Sequence, residues 1–172
     1  AFDDIQNPIE KVINPPVVTI PSIDSDTVHQ FVHHYGIKSP VIAIAPGSVW
    51  ATKRWCEEYF VSTARYFVEK GYSCVFLGGR EDAELCKRLA AASGGISLAG
   101  ETTIVQTIDF LKQCTVILTN DSAPTHLAWI AGCPTVAVFG ATSPKFGFAP
   151  RGEESLILQN DTLQCRPCAI HG

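Results

Sequence analysis

Short apolar runs alternate with longer amphipathic stretches from residue 41 onward, and this alternation is what most constrains the fold. VIAIA at 41–45 is apolar throughout and rich in branched residues, as a strand buried on both faces must be. Residues 55–70 then carry helical periodicity closed by Gly71, residues 73–77 form a second strand, and residues 81–93 a second helix closed by Gly94 and Gly95. The same grammar predicts a short strand over 96–98, a helix over 103–114, a strand over 116–119, a helix over 122–131 and a fifth strand over 135–139. Apolar strands that alternate with helices need crossover connections, and crossovers build a parallel sheet covered on both faces. The expected class is α/β, a doubly wound, Rossmann-like parallel sheet.

With 172 residues, 46% hydrophobic and 17% charged, the chain can bury one substantial core. A net charge of −4 disfavours broad binding to nucleic acid or to an anionic membrane, so an anionic ligand must be met locally. No run approaches the roughly 18 apolar residues of a membrane span, and no secretory signal layout is present, which predicts a soluble, cytoplasmic location. Residues 1–24 carry Pro8, Pro15, Pro16 and Pro21 and read as a linker or edge segment, leaving residues 25–172 as the domain. Within it, residues 25–35 predict a short capped helix stopped by Gly36. The chain opens on Ala1 and stops at Gly172 just after a Cys-rich turn, which predicts a fragment of a longer protein.

Seven cysteines, the first five inside apolar patterns, read as reduced core thiols in a reducing compartment. Cys165-x-x-Cys168-x-x-His171 has half the spacing of a metal or redox site, but one CxxC without a second pair favours a surface turn. His29 and His33 stand at i, i+4, with His34 beside them. No carboxylate or Cys cluster accompanies them, so a solvated helix face is expected.

In a doubly wound sheet, ligands bind beyond the carboxyl ends of the strands. The segments that follow the strands here are PGSVWATKRW, GGRED, AGET, NDSAPTH and GATSPKFGF, which bring Gly, Ser, Thr, Lys and Asp to one rim. In TNDSAPTHLAWIAG at 119–132, a strand ends in a polar turn that opens directly onto a helix. Asp121 or Ser122 can cap that helix, and Pro124 falls in its first turn, where a missing N–H costs nothing. Its N–H groups, with the Ser122, Thr125 and His126 side chains, suit an anion; the alternative is an ordinary capped helix with His126 satisfied inside the fold. Gly47 and Ser48 allow close backbone approach to an oxygen-rich ligand, and Lys53 and Arg54 supply charge without a metal. Asp82 is placed either to accept from a ribose diol or to complement a helix dipole. No GxGxxG follows the first strand, no GxxxxGK[ST] occurs, and the strand-end segments carry no DxD carboxylate pair, which disfavours dinucleotide, P-loop and divalent-ion readings.

The ordered set PGSxWxxKRW, LGGxxD, AGET, TNDSAPTHLA, FGATSPxFGF and CRPCxxHG closely resembles the C-terminal half of the family 9 glycosyltransferases, the ADP-heptose:lipopolysaccharide heptosyltransferases, over residues 41–172. The resemblance implies one of the two domains of a GT-B enzyme, the one that grips the sugar nucleotide. It implies a donor diphosphate held by Lys53 beside Ser48, a ribose held by Asp82, and a phosphate-binding helix start made by Asp121, Ser122, Ala123, Pro124 and His126. Ala123 stands where family members often carry Gly. The implied reaction is inverting transfer of heptose from ADP-heptose, or a related nucleotide sugar, to a lipopolysaccharide core acceptor, with no metal and no cofactor. Its general base is an aspartate of an N-terminal acceptor domain that this chain lacks, so no catalytic residue is expected here and the chain alone is expected to be inactive. Membrane contact is expected to be at most peripheral, at the inner face of the inner membrane. Two other readings are another GT-B nucleotide-sugar enzyme, a UDP-sugar transferase or epimerase, and a non-catalytic flavodoxin-like binding module. The second would call for an acidic cluster after the first strand, and there is none.

Overall fold

The computed structural model describes residues 14–152 and 154–168; residues 1–13 of the expected linker, His171 and Gly172 lie outside that range. Helix α1 (Ser22–His34) leads into β1 (Val41–Ala45), α2 (Glu57–Glu69), β2 (Ser73–Phe76), α3 (Ala83–Ser93), β3 (Ile96–Ser97), α4 (Ile104–Leu111), β4 (Val116–Asn120), α5 (Ala123–Ala131), β5 (Thr135–Phe139) and β6 (Leu156–Gln159). Single 3-10 turns occupy Ala51–Lys53, Arg80–Asp82 and Pro144–Phe146. The strands form one parallel sheet in the order β3-β2-β1-β4-β5-β6. The chain winds outward from β1 through β2 to β3, then returns to the other side of β1 and winds out again, so the order reverses between β1 and β4.

Because strand side chains alternate, each central strand feeds two cores. Val41, Ala43 and Ala45 of β1 join Val75, Ile117, Phe110 and Ala128 on the face covered by α1, α4 and α5. Ile42 and Ile44 join Cys74, Phe76, Phe60, Ala64 and Leu89 on the face covered by α2 and α3. All five residues of β1 are buried, as a central strand of a doubly covered sheet requires. Helices α3 and α5 stop at Gly94 and Gly132, whose φ values of 78° and 71° are the left-handed conformation that an L side chain resists.

The fold class and the five expected strands are present, and the differences from expectation have local causes. Helix α1 begins at Ser22, inside the expected linker, and Gln106 Nε2 donates to Asp24 Oδ1 at 2.8 Å to tie it to α4. Helix α2 starts two residues late, at Glu57, because the backbone is still extended at Cys56 (ψ 133°), while the Trp55 N–H donates to the Asn120 side chain at 2.9 Å. Thr103 is the cap of α4 rather than its first residue: its hydroxyl accepts from Gln106 N and its own N–H donates to Gln106 Oε1. Strand β6 was not expected. It is a sheet-edge strand with Leu156 and Leu158 largely exposed, and a loop with one 3-10 turn, not a helix, connects it to β5.

Of the five cysteines expected in the core, Cys74, Cys86, Cys114 and Cys133 are buried, but Cys56 stands at the cap position before α2 and is exposed, as are Cys165 and Cys168. Burial pushes the Cys74 and Cys133 thiols up to about 11 and the Cys86 thiol, with Asp82 nearby, up to about 12. Burial also raises Cys114. A thiol held protonated and out of solvent is a poor nucleophile. In the folded chain at neutral pH, thiol labelling followed by mass spectrometry should therefore modify Cys56, Cys165 and Cys168 promptly, with the four buried positions following only after denaturation.

Candidate functional site at the switch point

Strands β1 and β4 are neighbours, with Ala45 opposite Thr119, so the loops that leave them emerge side by side at the sheet's carboxyl edge. Asn120, fully buried at the end of β4, holds both ends of the first loop: its Nδ2 donates to Pro46 O at 2.8 Å and its Oδ1 accepts from Trp55 N at 2.9 Å. Between those two points, the 3-10 turn Ala51–Lys53 directs Lys53 inward. Its Nζ lies 2.7 Å from Asp121 Oδ2, with the two side chains 10% and 5% exposed. The buried Thr142, in the loop after β5, donates its hydroxyl to the same oxygen at 2.8 Å. The Lys53 ammonium also lies 5.9 Å from the centre of the Phe148 ring. A buried ion pair is tolerated only when further hydrogen bonds compensate for desolvation, and Thr142 supplies one.

At the start of α5, Ser122 has the extended backbone of a cap residue (φ −155°, ψ 174°) but makes no side-chain bond to the first turn. Its hydroxyl instead lies 3.4 Å from both Thr119 Oγ1 and Asn120 O. Asp121 does not cap the helix either: its carboxylate faces Lys53 and its N–H donates to Val138 O at 3.1 Å. Neither side-chain cap expected from the sequence forms. Of the first-turn N–H groups, Pro124 has none and that of Thr125 donates to Ser122 O at 3.1 Å, which leaves the N–H of Ala123 at the head of the helix. Ala123 is exposed at the head of the helix, and His126 is half-buried within it.

Asp82 ends the second 3-10 turn, half-buried, and accepts from Gly79 N at 3.2 Å. Its carboxylate occupies the space that a Cβ on Gly47 would fill, so the loops after β1 and β2 interlock. Ser48 O accepts from Arg54 Nε at 2.8 Å, which makes Arg54 a brace within its own loop. The structure thus gathers Lys53, Asp121 and Thr142 into one bonded group with Ser122 beside it, and brings Asp82 against Gly47 rather than into that group. Asn120 and Thr142 were not singled out from sequence, although both lie within segments that the strand-end pattern marked.

Among the described residues, no group of three His, Cys, Asp or Glu side chains is placed to hold a metal ion. His29, His33 and His34 are exposed on α1, and Cys165 and Cys168 lie on an exposed turn, with the Cys168 N–H donating to Ala141 O. A hollow of about 260 Å³ next to the site includes Ser143, Lys145, Gln159, Asn160 and Arg166. Lys53 and Asp121 do not line it.

This sheet order and this rim accompany a match of residues 15–171 to the model of glycosyltransferase family 9 (heptosyltransferase). The chain belongs to glycosyltransferase family 9. It is 26% identical over 157 residues to lipooligosaccharide heptosyltransferase 2 of Haemophilus influenzae, covering 86% of this chain and 45% of that one. A family 9 glycosyl transferase from Veillonella parvula superposes with a TM-score of 0.79 at 26% identity, over 86% of this chain and 43% of that chain. The ADP-heptose lps heptosyltransferase II of E. coli shares the fold, with a TM-score of 0.73 at 24% identity over 89% of this chain and 50% of that chain. The chain thus spans half or less of the length of these family 9 relatives.

Asn120 is the residue on which the shape of the first loop depends most directly. Asn120→Leu fills the same space but leaves Pro46 O and Trp55 N without their partner. The variant should lose about 2–4 kcal/mol of unfolding free energy in urea titrations, since each buried polar group left unpaired costs about 1–3 kcal/mol.

Proposed function

We propose that this chain is the nucleotide-sugar-binding domain of an inverting, metal-independent GT-B heptosyltransferase that takes ADP-heptose as donor and lipopolysaccharide core as acceptor. The observation that carries the reading is the Lys53 ammonium, pinned by Asp121 beside the uncapped start of α5 at the point where the strand order reverses. A lysine has three N–H donors, and the ion pair uses one. The others, with the Ala123 N–H at the start of α5 and the Ser122 hydroxyl, form a donor set for a diphosphate. Asp121 acts in this reading through Lys53, since its carboxylate would repel a phosphate and its N–H is already engaged. Ser48 and Ala123 offer backbone at the rim, Pro124 sets the first turn, His126 adds a half-buried donor, and Asp82 meets the ribose.

Displacement at the anomeric carbon by an acceptor hydroxyl releases a nucleoside diphosphate, and charge builds on its bridging oxygen as the bond breaks. Preorganised donors aimed at that charge lower the barrier, each by about 3 kcal/mol where such donors have been removed by mutation. In this scheme Lys53 and the helix start do the electrostatic work that a divalent ion does in other transferases. The general base that takes the acceptor proton belongs to a second domain facing this one across a cleft. The name of the E. coli relative, an ADP-heptose enzyme, supports adenosine over uridine as the nucleoside. The proposed location is cytoplasmic, with at most peripheral contact with the inner membrane; among the described residues no helix is long and apolar enough to cross one.

Calorimetry with ADP and UDP tests this reading. ADP should bind more tightly, with affinity unchanged by EDTA or added magnesium, and no heptose transfer should be detectable from the chain alone. Lys53→Gln keeps a hydrogen-bond donor for Asp121 while removing the charge, and should raise the ADP dissociation constant roughly tenfold or more. An unchanged constant in a variant that melts normally would remove Lys53 from the site; tighter UDP binding would favour a uridine-sugar enzyme; and loss of binding on chelation would overturn the metal-free scheme.

A further inference from the structure

The arginine between Cys165 and Cys168 has a structural place that the cysteines do not. The Arg166 side chain is 9% exposed, its fork of N–H groups is hydrogen-bonded to three acceptors, and the exposed Asp161 carboxylate lies 3.9 Å from Nη1. Nε donates to Thr142 O at 2.9 Å, Nη1 to Asn160 O at 3.1 Å and Nη2 to Gln159 Oε1 at 2.6 Å. One residue earlier in the loop after β5, Ala141 O accepts from Cys168 N at 3.0 Å. Two consecutive carbonyls of that loop are thus gripped by the C-terminal turn. The side chain mounted on the gripped backbone is Thr142, whose hydroxyl donates to the Asp121 oxygen that also accepts from Lys53 Nζ.

We propose that Thr142, held by Arg166, is a positioning residue for Lys53. A lysine side chain has a flexible four-carbon stem and an aspartate carboxylate rotates in a broad well, so the ion pair by itself defines a distance more than a place. Thr142 adds a bond from a braced backbone and converts that distance into a fixed point at the rim. Arg166 suits the role because its planar guanidinium tethers the loop after β5 to the end of β6 through several bonds at once, which a lysine cannot do. The inference rests on the reading that Lys53 meets the donor diphosphate.

The test is a calorimetric double-mutant cycle with ADP, using this chain, Thr142→Val, Thr142→Ser and Arg166→Lys, each alone and combined with Lys53→Gln, with a thermal melt for every variant. Thr142→Val and Arg166→Lys should each raise the dissociation constant about three- to tenfold, Thr142→Ser should restore it to within about twofold, and neither loss should persist in the Lys53→Gln background, where the ammonium being positioned is gone. Should Thr142→Val not fold, Arg166→Lys with its own Lys53→Gln partner completes the cycle. Equal losses with and without Lys53, or no loss while Lys53→Gln alone weakens binding, would overturn the positioning role and leave the diphosphate reading standing. If Lys53→Gln has no effect of its own, the diphosphate reading fails and takes this inference with it.

Discussion

The ion pair between Lys53 and Asp121 is the interaction around which the rim is organised. Strand order reverses between β1 and β4, and the connections that leave these strands depart to opposite faces of the sheet, α2 to one and α5 to the other. Diverging segments leave a gap, which in folds of this kind is where ligands enter. Here the gap is spanned by opposite charges from its two banks, one on the 3-10 turn after β1 and one at the end of β4. Moving both charges out of water costs several kcal/mol, so the pair persists only inside a framework that supports it. Asn120 supplies that framework by fixing the loop that carries Lys53, and the neighbouring residue supplies the counter-charge.

This arrangement reconciles two features that pull in opposite directions. A chain with a net charge of −4 does not attract anions in general, and an aspartate at the rim repels them. A lysine whose position is dictated by that aspartate still presents positive charge at one place, because its remaining donors point away from the carboxylate that holds it. The acidic residue then sets where the charge stands.

Much of the fold was legible in the sequence because central parallel strands leave a strong trace: VIAIA is buried at every position, and helices of full length separate such runs. Strand β6 left no such trace, since its side chains are mostly exposed and no helix precedes it. The site was legible as a set of strand-end loops but not as a network. Sequence offered Asp121 or Ser122 as the helix cap because both types are common there, and nothing local reveals that a lysine far away in the chain claims the Asp121 carboxylate instead. Asn120 and Thr142 escaped for the same reason: their bonds run to residues distant in sequence, and each looks like an ordinary turn residue. The CRPC segment drew attention for its thiols, whereas the contacts that matter to the fold come from Arg166 and the Cys168 backbone.

The interlock of Gly47 with Asp82 bears on how sequences of this kind can drift. A side chain at position 47 would fit only if the carboxylate at 82 swung away and gave up its bond to Gly79, so the two positions form a single unit of variation. Replacement of the glycine becomes tolerable only after, or together with, a change at the acid. Such a pair should leave a coupled signature in related sequences, and it marks the contact where the loops after β1 and β2 are obliged to move as one body.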